Sequence, residues 1–393
     1  MKISNVYIGG WFQRTMLQLS EVYDFLRGTG GLDKLSKKKM AELREALEIE
    51  DLQYGVSGEE YLKFASKDGI TVKIFEDGLI TLNNPKIETR TLASDIQKVQ
   101  DYYEKKLSPA INYLFSLGAP VPKELANIEN VYPYFIVLDK ASKKEMEALL
   151  EQTDRQKYFE FNNDKYDVLR GDKYYFINNK TKKTGEIERY IEEQVFIREF
   201  KGQMHRYLNI HRILWERIDE VKAHKMVKGA DIVKFATKLE AYAKTITLID
   251  GRIKQMSTYL PTREKIAKSD KDLAEFLEIS GYRYETLSDT LQYITYLWEM
   301  TRNYVESAQK QFEGLKADVT SKSVDSLTVV TSMSAGAAII GLLQASVPEF
   351  TISGFIYVGI LVIVGWGANR ILRFISNRQK YDVTDVEYEK NIK

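Results

Sequence analysis

Six polar residues recur every three to seven positions along one predicted helix and share a face of it: Arg198, His205, Asn209, Arg212, Glu216 and Asp219. A guanidinium group is suited to bidentate contact with phosphate, and histidine and asparagine can pair with the edge of a nucleobase. We therefore predict a nucleotide-binding face made by Arg198, His205, Asn209 and Arg212. Arg14, beside Trp11 and Phe12, is a second candidate. The same pattern is also typical of a solvated or inter-subunit face of a coiled coil.

Other chemistry is scarce in the 393 residues. The three histidines, His205, His211 and His224, never lie three or four positions apart, so no zinc pair is predicted on a helix and no metal ligand is assigned. There is no cysteine, which excludes disulfides, thiolate catalysis and iron–sulfur clusters. Without a nucleophile motif or a glycine-rich phosphate loop, we expect no enzyme. A net charge of +1 gives no reason to expect direct binding to nucleic acid.

The first part of the chain, residues 1–183, has the pattern of a mixed α and β domain. Its clearest signal lies between Ile70 and Leu82, where two β-rich runs flank the turn residues Asp77 and Gly78. Further strands and amphipathic helices alternate around this hairpin. The sequence therefore predicts a cytoplasmic α/β/α domain.

Residues 184–325 are predicted to form long coiled-coil stalk helices. Apolar or small residues alternate four and three positions apart in a heptad seam from Leu287 to Val319. A second seam begins at Ile232 and is predicted to end at Pro261, since proline interrupts a helix. The last stalk helix has no strong breaker, so it is expected to continue into the segment that follows.

Two charge-free runs, 326–348 and 350–369, predict a hairpin of two transmembrane helices, because about 20 residues cross a bilayer. Lysine and arginine flank the hairpin on both sides, including the basic tail 370–393, and none lies in the loop between the runs. The positive-inside rule then places both termini in the cytoplasm of a multi-pass protein of the inner membrane. The predicted fold class is an α+β membrane protein. The alternative is a helical hairpin buried in a soluble core.

Within the first run, four small or weakly polar residues share a helical face and are candidates to line a pore: Ser334, Ala337, Gly341 and Gln344. Such a stripe also serves close helix packing. Two helices cannot enclose a pore alone, so transport would require a homo-oligomer.

The order of these parts resembles the CorA-like divalent-cation channels, which are pentamers with a cytoplasmic α/β/α domain, stalk helices and a short outer loop. The Gly-Met-Asn motif of that family is missing. The corresponding stretch, Gly341 to Ser346, reads GLLQAS. This departure weakens the case for magnesium selectivity.

The opening segment Tyr7–Phe12, YIGGWF, together with the helix containing SEVYDFL, is similar to the branch of CorA-like proteins associated with type III CRISPR systems. That resemblance implies an antiviral effector that acts on membrane lipid. Its expected trigger is a nucleotide second messenger, S-adenosylmethionine joined to AMP.

Three functions are consistent with the sequence. The first is a messenger-gated effector that permeabilises the membrane, and the second is a Mg²⁺ channel or transporter. The third is a non-conducting tether. Loss of the selectivity motif favours the first.

Overall fold

The computed structural model describes residues 2–12, 18–29, 35–57, 59–85, 92–115, 133–154, 156–181, 185–270, 273–344 and 379–383, with single residues or pairs between 356 and 378. In chain order the elements are β1 (Lys2–Trp11), α1 (Leu19–Arg27), α2 (Lys37–Leu47), β2 (Ile49–Ser57), β3 (Glu59–Ser66), β4 (Thr71–Phe75), β5 (Leu79–Asn84), α3 (Leu92–Tyr102), a π-helical turn (Tyr103–Leu107), α4 (Ser108–Phe115), β6 (Tyr134–Asp139), α5 (Lys143–Thr153), β7 (Phe159–Asn162), β8 (Tyr166–Arg170), β9 (Tyr174–Asn179), α6 (Gly185–Lys222), β10 (Met226–Lys228), α7 (Gly229–Ser269), α8 (Ala274–Gln344) and β11 (Lys380–Asp382).

The described chain divides into two compact units. Unit 1 comprises residues 1–210 and 250–295, and unit 2 comprises residues 211–249 and 296–393. Each of the long helices α6, α7 and α8 therefore contributes a segment to both units.

Unit 1 is built on a nine-stranded mixed sheet in the order β2-β3-β4-β5-β1-β6-β9-β8-β7. Its pairings are antiparallel except for the parallel pair β6–β9. Side chains alternate between the two faces of a strand, so Val6 and Ile8 of β1 point to one face while Tyr7 and Trp11 point to the other. The face with Val6 and Ile8 packs against α1 to α5 in the larger apolar core.

The opposite face of the sheet is covered by α6, which approaches β1 closely at Gly9. A Cβ atom at Gly9 would lie 2.7 Å from Cγ1 of Val195 and 2.8 Å from the carbonyl oxygen of Ile80. Beside it, the Trp11 ring packs on Phe200 with centroids 5.3 Å apart. The missing side chain at Gly9 therefore sets how near α6 comes to the sheet.

The helix α7 does not end where its sequence predicts. It runs through Pro261 to Ser269, although an internal proline removes one hydrogen bond and costs about 3 kcal/mol. Within unit 1, Leu260, Arg263 and Ala267 are buried on this last part of the helix. These contacts offset the proline, so tertiary packing overrides the local signal. The helix α8 is continuous over 71 residues, as its sequence predicts.

Unit 2 joins helical segments with a small two-stranded sheet. Phe235 of α7 and Phe312 of α8 meet edge to face with centroids 5.8 Å apart. The strand β11 pairs antiparallel with β10, which places Val227 opposite Tyr381. The side-chain amide of Gln311 donates a hydrogen bond to the carbonyl oxygen of Val383. The segment 380–383 is thereby fixed on α8 near the end of the described chain.

The predicted transmembrane hairpin is wrong. Among the residues that the structure describes, none of the helices combines the length and apolar character that crossing a bilayer needs. Of the first predicted span, 326–348, residues 326–344 form the end of α8, while residues 345–348 and most of the second span, 350–369, lie outside the described residues. The prediction rested on the absence of charged residues. A segment without charged residues can still be too polar to cross a bilayer. Five of the nine residues 326–334 carry a hydroxyl group.

The predicted fold class and the predicted location depended on this hairpin and are wrong as well. The fold class becomes a nine-stranded mixed sheet with long helices, in place of an α+β membrane protein with a cytoplasmic α/β/α domain and stalk. A multi-pass location in the inner membrane loses its basis for the same reason. The pore candidates Ser334, Ala337, Gly341 and Gln344 lie on the last turns of α8, where the structure describes the backbone but not these side chains.

We predict that Gly9→Ala lowers the free energy of unfolding by about 1–3 kcal/mol, because the added methyl group overpacks the contact with Val195. Gly202→Ala on α6 is the matched control. A Cβ atom there meets nothing within 4 Å, so we expect a gain of about 0.5–1 kcal/mol from helix propensity. Urea unfolding of the purified chain measures both. Equal changes in the free energy of unfolding for the two substitutions would contradict the close approach of α6 to β1 at Gly9.

Candidate functional site

The most highly charged buried region of unit 1 centres on Arg263, whose side chain is 5% exposed. Its Nε and Nη2 atoms donate to Oδ2 and Oδ1 of Asp77 over 2.6 and 2.9 Å. The Nη1 atom donates to Oε1 of Glu59 over 2.8 Å. Burial alone would lower the pKa of Arg263, but the carboxylates of Asp77 and Glu59 outweigh it and raise the pKa. Arg263 is therefore a permanent buried cation that holds α7 to the sheet.

Local structure explains why Asp77 is in place. It lies in the turn between β4 and β5, where its Oδ1 accepts the backbone N–H of Leu79 over 2.9 Å and Gly78 adopts a φ of 92°. Its carbonyl oxygen accepts the indole N–H of Trp11 over 3.0 Å. The turn that the sequence predicts from Asp77 and Gly78 thus presents a carboxylate to α7.

A second set of ion pairs ties α6 to the same strands. Lys73 of β4 donates from Nζ to Oε1 of Glu192 over 2.6 Å, and its Nζ lies 3.5 Å from Oε1 of Glu188. Arg189 contacts Oε2 of Glu192 at 3.2 Å and Oε1 of Glu59 at 3.8 Å. Burial raises the pKa of Glu192 and of Glu59 despite these cations. The two sets share Glu59, so they form one network.

Glu193 extends the network to α8. It is buried, and its Oε1 accepts a hydrogen bond from the hydroxyl group of Tyr284. Burial raises the pKa of Glu193 to about 7, although Tyr284 and Arg263 act to lower it. Burial and the carboxylate of Glu193 raise the pKa of Tyr284. With a pKa raised to about 7, the carboxyl group of Glu193 can exchange a proton near neutral pH.

We call these residues the junction cluster, since they join three helices to the sheet: Glu59, Lys73, Asp77, Arg189, Glu192, Glu193, Arg263 and Tyr284. Aromatic rings shield it from water. The guanidinium carbon of Arg263 lies 5.1 Å from the ring centre of Phe75 and 5.5 Å from that of Phe196. Cation–π attraction adds to the ion pairs at this distance.

The cluster is suited to holding elements together and to proton exchange rather than to metal chemistry. In the part of the chain that the structure describes, histidine and carboxylate side chains nowhere gather in a group of three or more able to hold a metal ion. The described residues therefore offer no such group for the Mg²⁺ that a CorA-like resemblance implies, and we derive no step through it.

None of the sequence-predicted ligand residues is a member of the junction cluster. In unit 1, His205 and Asn209 are exposed on α6, while Arg198 is partly buried and donates from Nη2 to the carbonyl oxygen of Asp172 over 2.5 Å. In unit 2, Arg212 is exposed. Arg14 lies outside the described residues. Their ligand role stays a prediction.

Sequence reasoning missed the junction cluster because its members are distant in the chain. One signal was available. In α6 the polar triplet Glu192-Glu193-Gln194 interrupts an apolar stretch from Ile191 to Ile197, which is typical of a helix buried on every side. Buried polar groups in such a helix need partners, so the triplet indicates ion pairs without naming them.

Comparison with known proteins adds little to this geometry. No family model matches the chain, and no curated protein matches it. One similar solved structure is described as the "structure of the full-length CmaX protein". It shares 11% identity, with 64% of this chain and 93% of that chain covered, at a TM-score of 0.25. A likeness of that size supports no argument about function.

We predict that Arg263→Met lowers the free energy of unfolding by about 3–5 kcal/mol, because Asp77 and Glu59 would remain buried without their cation. Lys268→Met is the control on the same helix. Lys268 pairs with Glu264 at 2.7 Å but is 66% exposed, so its loss should change stability by less than about 1 kcal/mol. Denaturant unfolding distinguishes the two. A small loss of stability in Arg263→Met would show that the ion pairs of Arg263 with Asp77 and Glu59 are not essential for the stability of the fold.

We predict that wild type becomes less stable relative to Glu193→Gln as pH rises. The pKa of Glu193 is raised from 4.5 to about 7 in the folded state, so the unfolded chain loses its proton first. The stabilisation that the protonated carboxyl group of Glu193 contributes is fully present below about pH 4.5 and is lost as the pH rises to about 7. Unfolding curves between about pH 5 and pH 8 measure the difference.

The control for this pH series is Glu160→Gln. The pKa of Glu160 is lowered to about 2, first by its hydrogen bonds with Lys143 and Lys157, so it is ionised in both states over this range. Its stability difference from wild type should therefore be constant. If the stability difference between Glu193→Gln and wild type is also constant over this pH range, the raised pKa of Glu193 is refuted.

Proposed function

We propose that this chain is a ligand-responsive effector whose sheet unit senses a nucleotide second messenger of the S-adenosylmethionine–AMP class. The setting would be type III CRISPR antiviral defence, as the sequence resemblance of the opening segment Tyr7–Phe12 implies. The observation that carries the proposal is the junction cluster, where desolvated charges join three long helices to the sheet. Because the members of the junction cluster contact one another across these elements, a small shift of one element changes several of their contacts at once.

The energetics of the cluster support a coupling role. Removing or displacing one member of a buried ion network leaves its partners unpaired, which costs several kcal/mol. Arg263 alone bridges the β4–β5 turn and the start of β3, and Arg189 of α6 reaches the same Glu59. A ligand that binds one arrangement of these elements better than another would shift all three helices together.

A divalent-cation transporter is the alternative that the sequence leaves open. It would require carboxylate or amide oxygens gathered around the ion. Nothing on the described residues favours it, since their carboxylates at the junction cluster are already engaged by arginine and lysine. We therefore argue the messenger-responsive function.

We predict that the S-adenosylmethionine–AMP adduct raises the melting temperature of the purified full-length chain in a saturable way, because a ligand that binds only the folded state stabilises it. S-adenosylmethionine alone, AMP alone and MgCl₂ are the comparison ligands. Differential scanning fluorimetry measures the shifts. A shift with Mg²⁺ and none with the adduct would reverse the ranking of the two functions.

A further inference from the structure

Arg170 and Arg198 of unit 1 are half-buried, and they differ from Arg189 and Arg263 in having no carboxylate within ion-pair distance among the described residues. Arg189 and Arg263 each pair with at least two acidic side chains. In the described structure, Arg170 of β8 and Arg198 of α6 form no ion pair, and each has a buried nitrogen without an acceptor, Nε in Arg170 and Nη1 in Arg198. Buried donors in folded proteins nearly always have a partner, so these two N–H groups indicate a missing acceptor.

Both guanidinium groups converge on the buried ring of Tyr175. Phe135 and Arg170 are the direct cross-strand partners of Tyr175 on β6 and β8. Phe135 stacks on the Tyr175 ring at 4.5 Å, and the guanidinium carbon of Arg170 lies 5.3 Å from the ring centre. The guanidinium carbon of Arg198 reaches the same ring from α6 at 5.9 Å. Two cations are thus held beside one aromatic ring.

The surroundings of this arginine pair leave some of its hydrogen-bond donors unused. The one hydrogen bond of the Arg198 side chain goes to a neutral acceptor, the carbonyl oxygen of Asp172, among the described groups. The neighbouring carboxyl group of Glu199 is buried on α6, and burial raises its pKa to about 7, although the charges of Arg206 and Arg198 act to lower it. Glu199 forms its ion pair with Arg206, whose Nη2 lies 3.8 Å from its Oε2. Among the described residues Arg170 and Arg198 have no carboxylate within ion-pair distance, and each keeps an unused N–H group beside the same ring, so an anion is the group that completes the site.

We infer that Arg170 and Arg198 form an oxyanion site that takes the phosphate group of a ligand. Guanidinium groups bind phosphate through charge-assisted hydrogen bonds, and two of them from different elements fix its position. The buried Tyr175 ring leaves no aromatic surface for a base, so the site recognises the phosphate and not the nucleobase. This inference rests on the proposed function only in naming the nucleotide messenger as the source of that phosphate.

The site also connects to the junction cluster through α6. Arg283 of α8 donates from Nη1 to Oε1 of Gln194 over 2.6 Å, and Gln194 follows Glu193 directly. Arg198 lies one helical turn further along α6. An anion that draws Arg198 toward Arg170 therefore acts on the helix that carries Glu192 and Glu193.

The test is isothermal titration of the full-length chain with inorganic phosphate, AMP and the S-adenosylmethionine–AMP adduct, with adenosine as the uncharged comparison. We expect Arg170→Gln and Arg198→Gln each to weaken phosphate and adduct binding about 10-fold or more, since each removes one charged contact. Their melting temperatures without ligand should stay within about 3 °C of wild type, because neither arginine has an ion pair to lose.

Arg217→Gln is the matched control, because it removes one exposed guanidinium from the same helix at a position that is not a predicted ligand residue. Unchanged binding in this variant, with losses in the other two, supports the site. Adduct binding that survives in Arg170→Gln and Arg198→Gln, or that is lost in Arg217→Gln, overturns it. Phosphate binding that depends on both arginines, without preference for the adduct, supports the site and contradicts the proposed messenger.

Discussion

The buried ion pairs of Arg263 are the constraint on which unit 1 depends. A guanidinium group that is 5% exposed is stable only while Asp77 and Glu59 remain in contact with it. Those two residues come from the β4–β5 turn and the start of β3, whereas Arg263 follows an internal proline in α7. The interaction therefore fixes both a turn and the continuation of a helix that its own sequence would end.

The helix α6 brings the second constraint, because it packs on the sheet and carries charge into the contact. Gly9 lets Val195 approach β1, and three positions earlier the same helix presents Glu192 to Lys73. Close packing excludes water. An unpaired charge at this contact therefore costs free energy, and the paired charges fix the position of α6 along the sheet. Arginines that are paired with carboxylates, such as Arg263, then serve structure, while Arg170 and Arg198 each keep an N–H donor for the proposed ligand.

A segment without charge must also be apolar throughout before it can be assigned to a membrane, and residues 326–348 show why. Residues 326–348 lack charge, and that absence suggested a lipid-spanning helix. Serine, threonine and glycine in the same stretch reduce its apolar character, and a long helix such as α8 can contain a charge-free portion without crossing a bilayer. The predicted fold class and the predicted location both depended on that one step, so one misjudged property made both wrong.

The sequence by itself determined the local features. Asp77 and Gly78 specify the β4–β5 hairpin, the heptad spacing from Leu287 specifies the continuous helix α8, and the absence of cysteine excludes thiolate chemistry. Only the tertiary structure decided the strand order, the passage of α7 through Pro261 and the junction cluster. Turns and helical periodicity arise from residues a few positions apart, whereas Arg263 meets Asp77 from 186 positions away, and only the packed core brings them together.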